Sequence, residues 1–152
     1  MDKKDRSILE LLQKDARLSN NDIAERVHLS PTACWKRIQH MLESGLIRRQ
    51  VCLLDSCKAG LGVTVFVSIK TGCHDLQWLK KFSLGVKDMP EVVEFYRLSG
   101  DTDYLLKVVA PDIAGFDLVY KKLIQVAELF DVSSSFAMEE IKYTTALPLD
   151  NL

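Results

Sequence analysis

Residues 19 to 45 constrain the fold more than any other stretch of the chain, because two helix starts and one helix end fall within them. Ser19 and Asp22 form a capping pattern, in which a hydroxyl and a carboxylate bind free N–H groups at a helix start. Ser30, which proline follows, is a second start, since proline at the first helical position loses no hydrogen bond. Gly45 is typical of a helix end. The pattern predicts a helix-turn-helix, whose second helix can enter a DNA major groove.

A further helix is predicted before this pair, over Asp2 to Lys14, from a short amphipathic pattern with an acidic residue in the first turn. In the last helix of the unit, apolar residues spaced three and four apart predict a buried stripe of Cys34, Trp35, Ile38, Met41 and Leu42. The predicted core comprises Ile8, Leu12, Leu18, Ile23, Val27, Leu29, Ile38 and Leu42. Such a unit is small for independent stability, so we expect it to depend on the rest of the chain or on a partner subunit.

The other side of the last helix is cationic, since Lys36, Arg37 and His40 lie there with no acidic residue before Glu43. A solvated surface is the alternative, but the caps and the charge together favour contact with double-stranded DNA, whose phosphates and guanine edges bind Arg and Lys. The candidate DNA-binding residues are Ser30, Thr32, Ala33, Lys36, Arg37, His40, Arg48 and Arg49. The last two either flank the DNA backbone or keep a linker soluble.

Charge separates the two halves of the chain. Residues 1–50 carry ten Lys and Arg against seven Asp and Glu, a net charge of +3, whereas residues 51–152 carry ten against fourteen, a net charge of −4. An anionic polymer responds to the local field, which is screened over about 10 Å at moderate salt. A charge of +3 gives one head few phosphate contacts, so dimerisation would strengthen binding.

The second half of the chain begins with the periodicity of a β-strand. Apolar and polar residues alternate over residues 63–70 with the period of two that a pleated strand requires. The order that follows is strand, helix, strand, strand, helix, strand, and the last strand is predicted from Val132 to Leu147. Right-handed crossovers place both helices on one face of a four-stranded antiparallel sheet, the ferredoxin-like arrangement.

The predicted fold class is therefore α+β. A winged helix-turn-helix of three helices occupies residues 1–50, a linker strand occupies residues 51–61, and a ferredoxin-like βαββαβ domain occupies residues 62–152. Helices cover one face of the sheet only, and Phe66 and Tyr96 are predicted on the bare face. An apolar bare face usually marks an interface, which favours a homodimer with twofold symmetry and two DNA-binding heads.

A glycine and two carboxylates lie between apolar strands in the segment 100–104. Glycine permits close approach of a ligand, turn N–H groups can bind a carboxylate, and an Asp can pair with an ammonium. One loop could thus bind both ends of a free amino acid, although an ordinary hairpin turn is the alternative. Hydroxyls beside an aromatic ring form a weaker second candidate. The candidate effector-binding residues are Gly100, Asp101, Thr102, Asp103, Tyr104, Ser134, Ser135 and Phe136.

The remaining polar residues indicate neither catalysis nor a metal. No nucleophile or acid-base set is evident, so we expect no enzyme activity, no cofactor and no metal site. The four cysteines lack metal-ligand spacing, and reduced, mostly buried thiols are predicted, with a redox switch at Cys34 as the alternative. His28 is read as a turn residue and His74 as a surface residue. No apolar run approaches the ~20 residues of a membrane span and no signal peptide is evident, so a cytoplasmic protein without membrane contact is expected.

Three segments carry a family resemblance: Leu29-Ser-Pro-Thr-Ala-Cys-Trp-Lys-Arg37, Leu98-Ser-Gly-Asp-Thr-Asp-Tyr-Leu-Leu-Lys107 and Met138-Glu-Glu-Ile-Lys142. With them the chain resembles the Lrp/AsnC, or feast/famine, family of transcription regulators over nearly its full length. Ala33 departs from the proline usual there in the family. The Trp-Lys-Arg triplet and the chain end after Ser134 are closest to the cysteine-responsive, DecR-type branch.

The resemblance implies a DNA-binding regulator that forms dimers and often octamers. It also implies an amino-acid effector bound between dimers, in contact with the loop matching residues 100–104 and influenced by positions matching residues 135–137. We therefore expect a sequence-specific transcription regulator whose oligomeric state or DNA affinity responds to a small amino acid. Cysteine is favoured as the effector, with leucine or methionine next. An architectural DNA-binding protein without ligand control is the alternative.

Overall fold

The computed structural model describes residues 1–72 and 75–151, and these residues form two compact units. Unit 1 contains Met1–Leu53 and the segment from Ile141 onward, whereas unit 2 contains Leu54–Glu140. The predictions of a reduced Cys73 and a surface His74 lie outside the described residues.

Unit 1 contains three helices, α1 Lys3–Lys14, α2 Asn20–Arg26 and α3 Pro31–Glu43. Each start is capped by the residue before the helix. The Asp2 and Ser19 side chains form capping boxes, and the Ser30 hydroxyl accepts the N–H of Ala33 at 3.2 Å. These caps satisfy N–H groups that would otherwise have no partner. The three predicted helices are thus confirmed.

The turn between α2 and α3 depends on a left-handed residue. His28 has a φ of 53°, and the N–H of the next residue, Leu29, reaches back to the carbonyl of Ala24 at 2.9 Å. This geometry ends α2 and turns the chain toward α3. His28 is therefore the residue at which the chain turns, as predicted. Its positive φ is a conformation that few residues other than glycine adopt.

The core of unit 1 is narrower than predicted. Only Cys34 and Met41 are buried on α3, whereas Trp35 is 53% exposed and Leu42 is 37% exposed. The prediction that Trp35 and Leu42 belong to a buried stripe is wrong, because two short neighbouring helices cover only the centre of that stripe. The buried core of this unit consists of Ile8, Leu9, Ile23, Ala24, Val27, Cys34 and Met41.

The end of the chain contributes to unit 1 as well. Leu149 packs against the same core, and the side-chain amide of Gln13 exchanges two hydrogen bonds with the backbone of Leu147, at 2.7 and 3.1 Å. The predicted domain limit of residue 152 therefore differs from the structure, in which the chain from Ile141 onward belongs with the N-terminal helices.

Unit 2 is a four-stranded antiparallel sheet with two helices. Its elements in chain order are β1 Val63–Lys70, α4 Leu76–Lys87, β2 Val92–Arg97, β3 Tyr104–Ala110, α5 Ile113–Val126 and β4 Asp131–Phe136. The strand order in the sheet is β2-β3-β1-β4. The predicted βαββαβ arrangement is confirmed. The core of unit 2 includes Phe82 of α4 and Leu123 of α5, which pack on the buried side chains of β1 and β3.

Two predicted strands are corrected. Strand β4 ends at Phe136 rather than Leu147, because the chain beyond it leaves the sheet, and no strand forms over residues 51–61, where residues 56–60 make a turn. The face of the sheet away from the helices exposes apolar side chains, including Phe66 at 38% and Tyr96 at 51%. Among the described residues, no helix has both the length and the apolar character needed to cross a membrane.

Candidate DNA-binding and effector-binding sites

Helix α3 presents three exposed polar side chains on one side, Thr32, Lys36 and His40, which we call the cationic face. Lys36 has no ion-pair partner among the described residues, so its charge is available to an external anion. Ala33 is half-buried at the border of this face. An open groove of about 610 Å³ lies beside the cationic face. It is lined by residues at the start of α1 and by residues along α3. The face combines a hydroxyl, an ammonium and an imidazole within two helical turns.

Arg37 is held differently. Its guanidinium Nη1 lies 2.7 Å from a carboxylate oxygen of Asp2 and 2.7 Å from one of Asp5, both at the start of α1. Donation of hydrogen bonds to these carboxylates raises the pKa of Arg37, and the pKa of Asp2 is lowered by the N–H of Asp5 and by the guanidinium. Arg37 is only 34% exposed. The side chain therefore fixes α3 against α1, which sequence spacing could not reveal.

The start of α3 is fixed from a second direction. The side-chain amide of Asn20, the first residue of α2, donates to the carbonyl oxygen of Pro31 at 2.8 Å. Ser30 uses its hydroxyl for the helix cap, as described above. Ser30 and Pro31 at the start of α3 thus both form hydrogen bonds within unit 1. Helix α3 is fixed to α2 through Asn20 and to α1 through Arg37.

Arg48 and Arg49 follow α3 in an extended segment and are exposed. They line a second groove of unit 1, about 730 Å³ in volume, together with Lys14 and Arg17. Arg17 is paired with Asp15 at 3.0 Å. Unit 1 therefore has cations in two places, on α3 and around this second groove. The predicted DNA-binding residues are divided between the two.

Residues 98–103 of unit 2 connect β2 to β3, and Tyr104 is the first residue of β3. Gly100 has a φ of 141°, a backbone conformation that favours glycine. The N–H of Leu98 donates to the carbonyl of Asp103 at 2.8 Å, and the N–H of Asp103 donates to the carbonyl of Ile69 at 3.0 Å. The carboxylate of Asp103 accepts the N–H of Thr71 at 2.8 Å. Asp103 thus fixes the loop to the end of β1 and has a structural role.

Asp101 is the most accessible carboxylate of this loop. Its side chain is 89% exposed and lies 2.6 Å from the ammonium of Lys70, the last residue of β1. The hydrogen bond to Asp101 raises the pKa of Lys70, with Asp131 and Asp103 adding attraction. One accessible negative and one accessible positive group therefore lie side by side, which sequence analysis missed because Lys70 is 31 residues away.

Tyr104 and Thr102, the other candidates of the 100–104 segment, are less accessible than Asp101. Tyr104 is only 4% exposed and packs among Trp78, Phe82 and Phe95, with ring centroids 5.5 to 5.9 Å away. Tyr104 was predicted as an effector contact, and the structure places its ring in the core of unit 2, because the first residue of β3 points to the helix side of the sheet. Thr102 is half-buried.

Ser134, Ser135 and Phe136 do not share a surface. The ring of Phe136 contacts Phe116 of α5 at 5.3 Å, so Phe136 and Ser134 lie on the helix side of the sheet, whereas Ser135, opposite Phe66, lies on the open side. Ser135 pairs with Phe66, which lies three positions along β1 from Ile69, about 10 Å along the strand at the usual rise, and β4 lies on the side of β1 away from β3. The structure does not bring these two candidate sets together.

The described cysteines are not all buried. Cys34 is buried and desolvation raises its pKa, which disfavours a reactive thiolate, but Cys52 and Cys57 are exposed. The prediction of mostly buried cysteines is wrong for these two, because residues 51–61 form an exposed connection instead of a strand. Within residues 1–72 and 75–151, no three potential ligands form a metal-binding cluster.

Comparison with known proteins agrees with both units. Residues 1–48 match the winged helix-turn-helix DNA-binding model, and residues 64–147 match the Lrp/AsnC ligand binding domain. The fold and these matches define a DNA-binding transcription regulator with an amino-acid ligand domain, and not an enzyme. The chain belongs to the Lrp/AsnC family of transcription regulators.

Three relatives illustrate the similarity. The DNA-binding transcriptional activator DecR of Escherichia coli K12 is 48% identical over 151 residues, which is 99% of either chain. The crystal structure of an AsnC family regulator from Agrobacterium tumefaciens is 60% identical, covers 99% of this chain and 98% of its own, and has a TM-score of 0.96. A regulator from Neisseria meningitidis, solved as an L-Met complex, is 35% identical with 99% and 97% coverage and a TM-score of 0.93.

Proposed function

We propose that this protein binds specific DNA sequences through the cationic face of α3 and that a free amino acid controls that binding through unit 2. The observation that carries the DNA part is the exposed, unpaired Lys36 on a capped helix held firmly by α1 and α2. In a helix-turn-helix complex the second helix lies in the major groove, where Lys and Thr can bind base edges or phosphates. Action in the cytoplasm, as expected from the sequence, is part of the proposal.

The proposed roles of the candidate DNA-binding residues differ from one another. Thr32, Lys36 and His40 are the proposed contacts of α3, and half-buried Ala33 at the border of this face is proposed to make van der Waals contact with the DNA. Ser30 acts by capping the helix, and Arg37 acts by positioning it. Arg48 and Arg49 supply phosphate contacts beside the groove, since both are exposed cations.

Lys36→Ala is expected to weaken operator binding by about 1–3 kcal/mol if the ammonium reads a base, or to weaken all DNA alike and lower the salt slope by about one if it binds a phosphate. Operator duplexes selected from a random pool, titrated by fluorescence anisotropy at several salt concentrations, would measure both. Lys80→Ala is the matched control, because Lys80 is an exposed helical lysine of unit 2. Unchanged affinity and salt slope in Lys36→Ala would contradict the assignment.

A homodimer is proposed from the open face of the sheet. Phe66, Tyr96 and Leu105 lie on it, and the remaining positions are largely polar or charged, such as Lys107, which pairs with Glu94. Two copies meeting by this face would bury the exposed rings and supply two heads for a palindromic operator. Assembly of four such dimers into an octamer is the form that the family resemblance implies, and sizing the protein in solution tests both states.

The effector part of the proposal rests on the Lys70–Asp101 pair. An amino acid carries an ammonium and a carboxylate, and these groups complement Asp101 and Lys70 respectively. The backbone N–H groups of the Gly100 turn can add hydrogen bonds to the carboxylate. Effector binding then shifts the population of assembly states, provided that one state binds it better.

Cysteine is the favoured effector, because the chain resembles the cysteine-responsive branch, with methionine or leucine next. The L-Met complex of the Neisseria relative supports an amino acid of this class. A zwitterion-binding pair alone cannot select a side chain, so selectivity must come from apolar contacts around the bound side chain.

Calorimetric titration of the full chain with cysteine, methionine and leucine is expected to detect binding of at least one of them. Asp101→Asn is expected to lose most of this binding, because the ammonium loses its charged partner. Asp117→Asn is the control, since Asp117 forms a similarly exposed pair with Lys121 outside the loop. Binding that survives in Asp101→Asn would move the site, and no heat with any amino acid would favour the architectural alternative without ligand control.

A further inference from the structure

One flank of α3 carries large apolar side chains in contact with solvent. Trp35 is 53% exposed, and Leu42, seven residues later on the same side of the helix, is 37% exposed. Tryptophan side chains bury large areas at interfaces, so half-exposed Trp35 is a candidate contact for an external surface.

The position of Trp35 relates it to the cationic face. At 3.6 residues per turn, Trp35 is rotated by about 60° from Thr32 and by about 160° from Arg37. Arg37 faces α1 through its two carboxylate partners, so Trp35 lies on the opposite flank, next to the cationic face. In a helix-turn-helix complex the groove walls, which are sugar and phosphate, pass beside the flanks of the second helix.

The chemistry of Trp35 suits such a wall. Its indole N–H is a donor only, and it has no acceptor among the described residues. The other tryptophan differs: Trp78 donates its N–H to the carbonyl of Glu128 at 3.0 Å, and its ring stacks on Phe82 at a centroid distance of 5.0 Å. Trp78 is thus satisfied internally, whereas Trp35 retains both a free donor and an exposed ring.

We propose that Trp35 is a backbone anchor of the DNA complex. Its indole N–H donates to a phosphate oxygen at the groove edge, and its ring packs on the adjoining deoxyribose. The contact fixes the depth and rotation of α3 in the groove, so that the cationic face meets the bases in one register. DNA is the chosen occupant because the flank is continuous with the cationic face of a head whose net charge is +3 over residues 1–50. The inference depends on the proposed insertion of α3.

The chain has only two tryptophans, so Trp78→Phe leaves Trp35 as the single fluorophore. In this full-length variant, Trp35 emission is expected to be readily quenched by acrylamide without DNA and to be protected, with a shift in emission, when an operator duplex is added. Anisotropy of a labelled duplex in the same cuvette records binding independently. Binding in that channel while Trp35 remains equally quenchable overturns the anchor alone, whereas no binding at all overturns the proposed function.

Two substitutions test the contact itself. Trp35→Phe keeps the ring but removes the donor, and it is expected to weaken binding to operator and unrelated duplexes alike by roughly ten-fold or more, the effect of losing one hydrogen bond to a charged group. Trp35→Ala is expected to lose more, because the ring contact goes too, and a thermal melt shows how much stability the buried half of the side chain contributes. Native affinity in Trp35→Ala, or protection of Trp35 that rises with protein concentration without DNA, contradicts the proposal; the latter indicates a second copy as the occupant.

Discussion

Tyr104→Ala is expected to lower the free energy of unfolding of unit 2 by about 3–5 kcal/mol, the range for truncating a buried large aromatic side chain. The ring is 4% exposed and packs among three aromatic side chains at the junction of β3 and α4. Its removal leaves a cavity that Phe82 and Phe95, which already contact each other at 5.6 Å, cannot fill without leaving their own positions. Urea denaturation followed by circular dichroism would measure the loss.

Tyr104→Phe is the conservative control, because it keeps the ring and removes only the hydroxyl. It is expected to retain most of the stability that Tyr104→Ala loses. If Tyr104→Ala instead kept native stability and lost amino-acid binding, Tyr104 would be an effector contact, as its position in the 100–104 segment first suggested.

Arg37→Ala is expected to weaken operator binding by roughly 10- to 100-fold without changing which bases are preferred. The guanidinium bridges Asp2 and Asp5 at 2.7 Å each, so its loss leaves two carboxylates facing each other and frees α3 from α1. Arg37→Lys is expected to restore little, since a single ammonium cannot reproduce the fork of a guanidinium. Binding isotherms on the operator and on single-base variants of it would give the affinity and the preference together.

Asp5→Ala separates positioning from direct contact. If Arg37 positions the helix, Asp5→Ala should weaken binding in the same direction as Arg37→Ala but by less, because one of the two ion pairs, that with Asp2, remains. If Arg37 reads a base, Asp5→Ala should strengthen binding by removing a negative charge from the DNA-facing unit and releasing the guanidinium. The sign of this one effect decides between the two roles.

Local signals in the sequence were sufficient for the secondary structure. The caps at Asp2, Ser19 and Ser30 act within three or four residues, so their consequences could be read without knowledge of the fold. Alternation over residues 63–70 likewise reflects one strand with one covered face. The connection order then followed from the handedness of crossovers, which is nearly invariant.

Errors arose where a residue's environment depends on distant chain segments. Trp35 and Leu42 fit an apolar stripe, but its width is decided by how many helices pack against it. Tyr104 was grouped with its loop neighbours, whereas strand pairing with Ile69 turns it into the core. Arg37 and Asp5 are 32 residues apart, and no periodicity in the sequence links them.

The segment that begins at Ile141 belongs to the same unit as the N-terminal helices, although it follows unit 2 in the chain. Because Leu147 and Leu149 belong to unit 1, unit 2 is an insertion within it. The chain passes from unit 1 to unit 2 after Leu53 and returns to unit 1 at Ile141. Deletion of the last residues is therefore expected to destabilise unit 1, which contains the N-terminal helices.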